Sequence, residues 1–215
     1  MRGTHAMLNQ VMNRIKNGFN NKADNLSEML LALDENGVST GQYFDRGFIH
    51  DNNIWHNGIA LWILNPKTQE ILLQRRHPSK KAGPGKLGIC AGHVVGEETI
   101  EQARDKESIE EMGIDPSKYD CKPFMVVKRQ DLNNYCFTHH FYIMAEIPLS
   151  KFVIQQSELL ELVYMNYNVV REKIKNGDSE IAVKWSPQME EIFAKIDELF
   201  ASENILTQDP PVLVT

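Results

Sequence analysis

The sequence predicts an α/β fold with a mixed β-sheet and helices on both sides of it. Residues 58–64 form a continuous apolar run of strand length, and residues 70–75 return after a turn at 65–69, which predicts a buried β-hairpin. Near the C-terminus, residues 189–200 place apolar side chains at helical spacing. The composition, 42% hydrophobic and 24% charged, is typical of a globular chain that can build a core.

The remaining elements follow in order along the chain. Four further apolar segments are predicted as strands: residues 29–33, 42–49, 124–129 and 136–145. Three segments are predicted as helices: residues 97–111, residues 157–175 and the stretch from Pro187, with Ser186 as its N-cap.

These elements form one domain at residues 28–203, because no repeat or low-complexity linker divides them. Residues 1–27 contain apolar positions at helical spacing and are predicted as a helical extension. Residues 204–215 are predicted as an extended tail.

The charge and cysteine content exclude several classes of protein. Lys and Arg number 23 against 29 Asp and Glu, and no dense basic cluster predicts binding to a nucleic-acid polymer. Three cysteines are an odd number without framework spacing, which indicates reduced thiols and a cytoplasmic protein. No apolar run has the length of a signal peptide or a membrane span, so no membrane association is expected.

The predicted helix at 97–111 is unusually acidic, with seven acids in fifteen positions, and Gly113 follows it as a natural terminator. At about 100° per residue, three of the acids fall within an arc of about 100°. These are Glu107, Glu110 and Glu111. The ordinary interpretation of such a run is a solvated charged face.

Two physical details favour a metal site instead. Like charges three and four residues apart cost a helix about 0.2–0.5 kcal/mol per pair, and Glu107 makes both kinds of pair. Glu110 and Glu111 also lie in the final turn, where the helix dipole disfavours acids. Clustered carboxylates are suited to a hard ion such as Mg²⁺ or Mn²⁺, which shares its remaining positions with substrate phosphates.

The segment from Gly92 to Ile114 resembles the Nudix box, Gly-x5-Glu-x7-Arg-Glu-U-x-Glu-Glu-x-Gly-U, where U is a bulky aliphatic residue. Seven positions match across 23 residues: Gly92, Glu98, Glu107, Glu110, Glu111, Gly113 and Ile114. Two positions depart from the motif, because Lys106 replaces an arginine and Ser108 replaces an aliphatic residue. The resemblance implies the family fold, an α/β/α sandwich around a mixed sheet.

The resemblance also implies the roles of individual residues. The implied metal ligands are Glu107, Glu110, Glu111 and the carbonyl of Gly92. Glu98 is expected to pair with Lys106 and to brace the loop against the helix, so that both support catalysis together with Glu107. Lysine keeps the positive charge but lacks the planar, bidentate fork of arginine. We therefore expect weaker bracing and an intact metal site.

The activity implied by the resemblance is Mg²⁺-dependent hydrolysis of the diphosphate linkage of a nucleoside diphosphate derivative or a similar small metabolite. The ion orients the diphosphate and lowers the pKa of the attacking water. Arg75, Arg76 and His93 are predicted to contact the substrate because they lie next to the motif or end the hairpin strand. Three candidates for the general base remain open: Glu107, Glu158 and His139.

Two alternatives to a hydrolase remain. Residues 50–98 resemble the Nudix branch that contains isopentenyl-diphosphate isomerase and its hydrolytic relatives, and His50, His56 and His93 match histidines of the isomerase. The other alternative is a weakly active domain that binds a nucleotide. A homodimer is compatible with either function.

Two departures argue against the isomerase. In that family a cysteine immediately precedes the Gly-His pair, whereas Ala91 stands there in this chain and Cys90 comes one position earlier. On a strand, that shift turns the thiol to the opposite face. The isomerase also has a Glu-x-Glu on a later strand, where this chain has Thr138, His139 and His140. The sequence therefore predicts hydrolysis without isomerisation.

Overall fold

The computed structural model describes residues 29–80 and 83–206. A small antiparallel sheet comes first, formed by β1 (Met29–Leu33) and β2 (Ser39–Asp45), and is followed by the short helix α1 (Arg46–Asp51). The strands of the large sheet are β3 (His56–Asn65), β4 (Glu70–Arg76), β5 (Leu87–Gly88), β6 (Cys90–His93), β7 (Lys122–Asp131), β8 (Asn134–Met144) and β9 (Leu159–Asn166). The longer helices are α2 (Ile100–Met112), α3 (Tyr167–Lys175) and α4 (Pro187–Leu206).

The large sheet is mixed. Its strands are ordered β5-β4-β3-β8-β7, with β6 paired to β3 and β9 paired to β4. The β3–β8 pair is parallel, whereas the other pairs are antiparallel. Strand β3 therefore lies at the centre of the sheet and carries pairing to β4, β6 and β8.

Helices cover both faces of this sheet. Trp62 and Leu64 of β3 pack in a core cluster with side chains of α3 and α4. Leu61 and Ile63 belong to a second cluster, which contains Ala103 of α2. Burial on both faces explains why β3 is continuously apolar rather than alternating. The arrangement is the predicted sandwich of helices around a mixed sheet.

The sequence explains where α2 begins and ends. Thr99 is its N-cap, and the side chains and backbone amides of Thr99 and Gln102 form a reciprocal capping box. Gly113 ends the helix at φ 70°, a conformation that favours glycine. The predicted acidic helix is thus confirmed, although it begins at Ile100 because residues 97–99 form the loop and cap.

Two predicted elements need correction. The helix predicted at 157–175 is wrong over its first half, because residues 159–166 form β9 along the free edge of β4 and only Tyr167–Lys175 is helical. The strand predicted at 42–49 ends at Asp45, whose carboxylate caps α1 by accepting from the Phe48 amide at 2.9 Å. Pairing with β4 makes the first segment a strand, and the Asp45 cap ends the second strand and begins α1.

The predicted N-terminal helix and most of the C-terminal tail lie outside the described residues, and the domain boundaries stay predictions. Within the described ranges, no helix is both long enough and apolar enough to cross a membrane.

Candidate active site

Strand β6 brings Gly92 directly against the acidic face of α2. A Cβ atom built on Gly92 would lie 2.3 Å from Cδ of Glu107. The Glu107 carboxylate therefore packs on the Gly92 backbone, and any side chain at position 92 would displace it. This contact joins the first and central parts of the motif recognised in the sequence.

Two of the motif glutamates are withdrawn from solvent, since Glu111 is buried and Glu107 is half-buried. Glu111 is 8% exposed and accepts a hydrogen bond from Nε2 of Gln74 at 2.9 Å. Burial, with the neighbouring Glu111 charge, raises the pKa of Glu107 to about 7, and burial also raises the pKa of Glu111. Glu110 is exposed on the same helix. This excess of negative charge favours a cation.

An ion pair connects the loop before α2 with the helix itself. Nζ of Lys106 donates to the two carboxylate oxygens of Glu98 at 2.7 and 3.0 Å. Oε2 of Glu98 also accepts from the Val95 amide at 3.1 Å. Ser108 is completely buried, and its Oγ has no hydrogen-bond partner among the described residues. The second departure from the motif thus places a small polar group in the core.

The two arginines at the end of β4 point to opposite faces of the sheet. Arg75 donates to Glu161 at 2.6 Å and to Glu180 at 3.0 Å, on the face away from α2. Arg76 instead acts electrostatically on Glu111 and lowers its pKa. Because side chains alternate along a strand, the structure brings Arg76, and not Arg75, to the glutamates.

His93 belongs to a second cluster of potential metal ligands. Ligand atoms of His50, His56 and His93 all lie within 4.8 Å of one another, and Nε2 of His50 lies 3.2 Å from Nε2 of His93. His56 is fully buried, and its Nε2 has no partner among the described residues. Within the same part of the chain, the three motif glutamates do not gather as closely as these histidines.

Burial also sets the charge of these imidazoles. Desolvation lowers the pKa of His56 to about 4, and it lowers the pKa of His93 and His50 as well. Neutral imidazoles are nitrogen donors for borderline ions such as Zn²⁺. The isomerase resemblance grouped these three histidines in the sequence, but a metal-binding cluster was not predicted. The pairing of Gly58 with His93 across β3 and β6 assembles it.

The structure places Cys90 and Ala91 as strand alternation requires. Cys90 is buried at 3% exposure in the core beneath α2, where burial raises the pKa of its thiol well above the usual value. Ala91 is exposed on the other face. On β8, His139 contacts Oδ1 of Asn57 at 3.1 Å, and His140 accepts from Trp62 Nε1 at 3.0 Å. These two histidines therefore point to opposite faces, as expected.

The family model described as NUDIX domain matches residues 55–188, which is more than half of the chain. The chain belongs to the Nudix family. The match extends from the start of β3 to the beginning of α4 and so includes the whole acidic helix. The family recognised from the segment between Gly92 and Ile114 is confirmed.

One sequence relative and one solved structure extend this finding. Nudix hydrolase 3 of Arabidopsis thaliana is 28% identical over 156 residues, which cover 68% of this Nudix chain and 20% of the plant protein. The chain thus spans about a fifth of that relative's length. The crystal structure of DR0079 from Deinococcus radiodurans superimposes with a TM-score of 0.60 at 17% identity, covering 81% of this chain and 98% of that one. This likeness confirms the predicted fold class.

The Nudix site of this chain can therefore be described by two faces. One face presents carboxylates that lie on Gly92 and are flanked by the cations Lys106 and Arg76. The other presents neutral imidazoles around His93. The carboxylate face can hold a divalent cation together with a phosphate group, whereas the imidazole face carries little charge of its own.

Proposed function

We propose that this protein is a Mg²⁺-dependent pyrophosphohydrolase, which cleaves the diphosphate linkage of a nucleoside diphosphate derivative or a similar small phosphorylated metabolite. The observation that carries the proposal is the contact between the Glu107 carboxylate and the Gly92 backbone, with the buried Glu111 beside it. Membership of the Nudix family and the name of the plant relative support the same reaction class.

The donor set fits a hard divalent cation. Desolvation raises the pKa values of Glu107 and Glu111, and a bound cation would favour their charged forms. The residues that would hold the ion are Glu107, Glu110, Glu111 and the carbonyl of Gly92. When bound, Mg²⁺ would neutralise charge on the diphosphate and increase the acidity of water.

The other residues of the site act by position and charge. The Glu98–Lys106 ion pair fixes the loop between β6, which carries Gly92, and α2. Gln74 orients Glu111 by donating to one of its oxygens. Of the two arginines at the end of β4, Arg76 lies on the same face as Glu111. We therefore assign Arg76 to the substrate phosphates. Positioning and electrostatics account for most of the catalysis in phosphoryl transfer.

A substrate panel tests this proposal. Nucleoside triphosphates, nucleotide sugars, dinucleoside polyphosphates and coenzyme derivatives would be incubated with Mg²⁺ or Mn²⁺ in ¹⁸O-labelled water. We expect hydrolysis of at least one diphosphate linkage, with the label in one product identifying the phosphorus attacked. Glu107→Gln serves as the inactive control. Product formation that is unaffected by chelation of divalent ions would contradict the proposal.

Isomerisation of isopentenyl diphosphate is the second candidate function, and the histidine cluster is the observation that favours it. The chemistry on β6 opposes it, because the exposed residue beside the cluster is Ala91 and the Cys90 thiol is buried under α2. Carbon protonation needs an acid at the substrate, and alanine supplies none. We therefore retain hydrolysis as the proposed function; a homodimer and a cytoplasmic location stay predictions.

A further inference from the structure

An ion pair at the end of β4 stands beside the motif glutamates. The Lys80 ammonium contacts Oε2 of Glu158, and the two side chains are 29% and 28% exposed. The pair is therefore accessible to a ligand while it remains part of the protein surface around Glu111.

Backbone hydrogen bonds fix Glu158 in this position. The His77 amide donates to the Glu158 carbonyl at 2.8 Å and continues the pairing of β4 with β9. The Gln155 amide donates to the Glu111 carbonyl at 3.0 Å, and the Glu158 amide donates to the Gln155 carbonyl at 2.8 Å. Residues 155–158 thus tie the end of β4 to the last turn of α2.

The charges of the pair reach the metal-binding face. The carboxylate of Glu158 raises the pKa of Glu111, whereas the ammonium of Lys80 lowers it. Both groups are thus close enough to Glu111 for their charges to act on it. Glu158 is not among the proposed metal ligands, so its carboxylate is available for another role.

The other candidates for the general base are less suitably placed. Glu107 packs on Gly92 and belongs to the proposed ligand set. His139 contacts Asn57 through Nε2 and lies on β8, separated from β6 by β3. Glu158 remains as a carboxylate near Glu111, and its side chain pairs with Lys80 in the part of the chain that the structure describes.

We propose that Glu158 is the general base of the hydrolysis and that Lys80 holds it in an ion pair until the substrate binds. This inference rests on the proposed pyrophosphohydrolase function. The diphosphate carries more negative charge than one carboxylate and attracts the Lys80 ammonium away from Glu158. The freed carboxylate then accepts a proton from the attacking water.

The step is balanced without a further reactant. The water oxygen forms a bond to phosphorus while the bridging P–O bond breaks. The electron pair of the broken bond leaves with the departing phosphate. One water proton passes to Glu158 and is then released to solvent. The Lys80 ammonium stays protonated throughout and returns to Glu158 when the products leave.

The first test compares Glu158→Gln with Glu198→Gln. Glu198 forms a matched ion pair with Lys195 at 2.7 Å on α4, outside the site. We expect Glu158→Gln to lower kcat about 100-fold or more, as loss of a general base does, with KM changed by less than about threefold. Glu158→Asp, which keeps the carboxylate, should recover part of kcat. Glu158→Gln with the kcat of Glu198→Gln would overturn the proposal.

The second test measures the role of Lys80 without turnover. Methylenediphosphonate with Mg²⁺, a diphosphate that cannot be hydrolysed at its bridge, would be titrated by calorimetry into wild type, Lys80→Met and Lys195→Met. We expect Lys80→Met to weaken binding about tenfold, consistent with the loss of one charge-assisted contact, and Lys195→Met to bind like wild type. Unchanged binding by Lys80→Met would exclude the exchange of partners.

Thermal unfolding of every variant controls for misfolding. If Glu158→Gln unfolds well below Glu198→Gln, Glu158→Asp becomes the deciding variant: a reduced kcat supports the proposal and a wild-type kcat overturns it. If wild type hydrolyses no member of the panel, the proposed function fails as a whole. If wild type is active and Glu158→Gln keeps its kcat, the assignment of the base fails alone.

Discussion

Two clusters of potential metal ligands meet at consecutive residues of β6, and they differ in charge and in donor atom. Gly92 packs against the Glu107 carboxylate, whereas the ring of His93 meets His50 and His56. Burial raises the pKa of the carboxyl group and lowers the pKa of the imidazoles. The same desolvation thus disfavours the charged form of both groups, so that the glutamates hold protons more tightly and the histidines stay neutral.

One short strand thus borders two chemically different clusters. A glycine allows α2 to press its carboxylates against the backbone on one face, and the next residue projects from the other face. Oxygen donors with excess charge are suited to Mg²⁺, which shares its coordination with phosphates. Neutral nitrogen donors provide no electrostatic attraction for a diphosphate. We therefore expect catalysis to depend on the glutamate face.

The largest expected effect follows from removing one charge on that face. Glu107→Gln or Glu111→Gln should reduce kcat/KM with Mg²⁺ about 100-fold or more, the order of an electrostatic group that stabilises transition-state charge. Without divalent ions, the fold should stay intact or become slightly more stable because repulsion is relieved. The measurements are steady-state kinetics and thermal unfolding in chelator. A strongly destabilised metal-free Glu111→Gln would instead assign these carboxylates to structural pairing.

Without bound metal, the contribution of Glu107 to the free energy of unfolding should fall as the pH rises. The pKa of Glu107 is about 7 in the folded protein against an ordinary 4.5, so the folded state binds the proton more tightly. Its contribution to the free energy of unfolding is present below pH 4.5 and is lost as the pH rises through 7. Denaturant titrations in chelator should show wild type losing stability relative to Glu107→Gln over this range. A constant difference would contradict this.

The histidine face should show the opposite slope. The pKa of His56 is about 4 in the folded protein against an ordinary 6.5. Its contribution to stability is present above pH 6.5 and is lost as the pH falls through 4. Wild type should therefore lose stability relative to His56→Asn as the pH is lowered from 6.5 to 4. Equal acid sensitivity of the two proteins would show that His56 is not held neutral by burial.

A smaller effect is expected at the ion pair that braces the glutamate face. Lys106→Ala should reduce kcat/KM about tenfold, as loss of a supporting contact to a metal site does, whereas Lys106→Arg should preserve or raise activity. Unchanged kinetics in Lys106→Ala would show that another group braces Glu98. Arg104 is poorly placed for that role, because it donates to Asp105 at 2.7 Å and covers the ring of Phe141.

We expect no isomerase activity at the histidine face. Incubation with isopentenyl diphosphate and Mg²⁺ should yield no dimethylallyl diphosphate, since the exposed residue on β6 is Ala91 and the thiol of Cys90 is buried. Product analysis by mass spectrometry checks this. Formation of dimethylallyl diphosphate at an enzymatic rate, abolished in Cys90→Ala, would overturn the hydrolase assignment.

Local pattern was sufficient for the acidic helix and for the family. The motif from Gly92 to Ile114 combines a capping residue, a glycine terminator and carboxylates at helical spacing. Interactions within about four residues specify such features, so they can be read from the chain directly. The β3–β4 hairpin was predictable for the same reason, because a short turn joins its strands.

Long-range pairing decided what the sequence alone did not determine. Residues 159–166 become a strand because β4 has a free edge beside them. The histidine cluster forms through the register of β3 with β6, and the Lys80–Glu158 ion pair forms where two distant segments meet. The partners in these contacts are tens of residues apart along the chain. A propensity or a spacing describes only neighbours in sequence, so the tertiary structure was needed to bring these groups together.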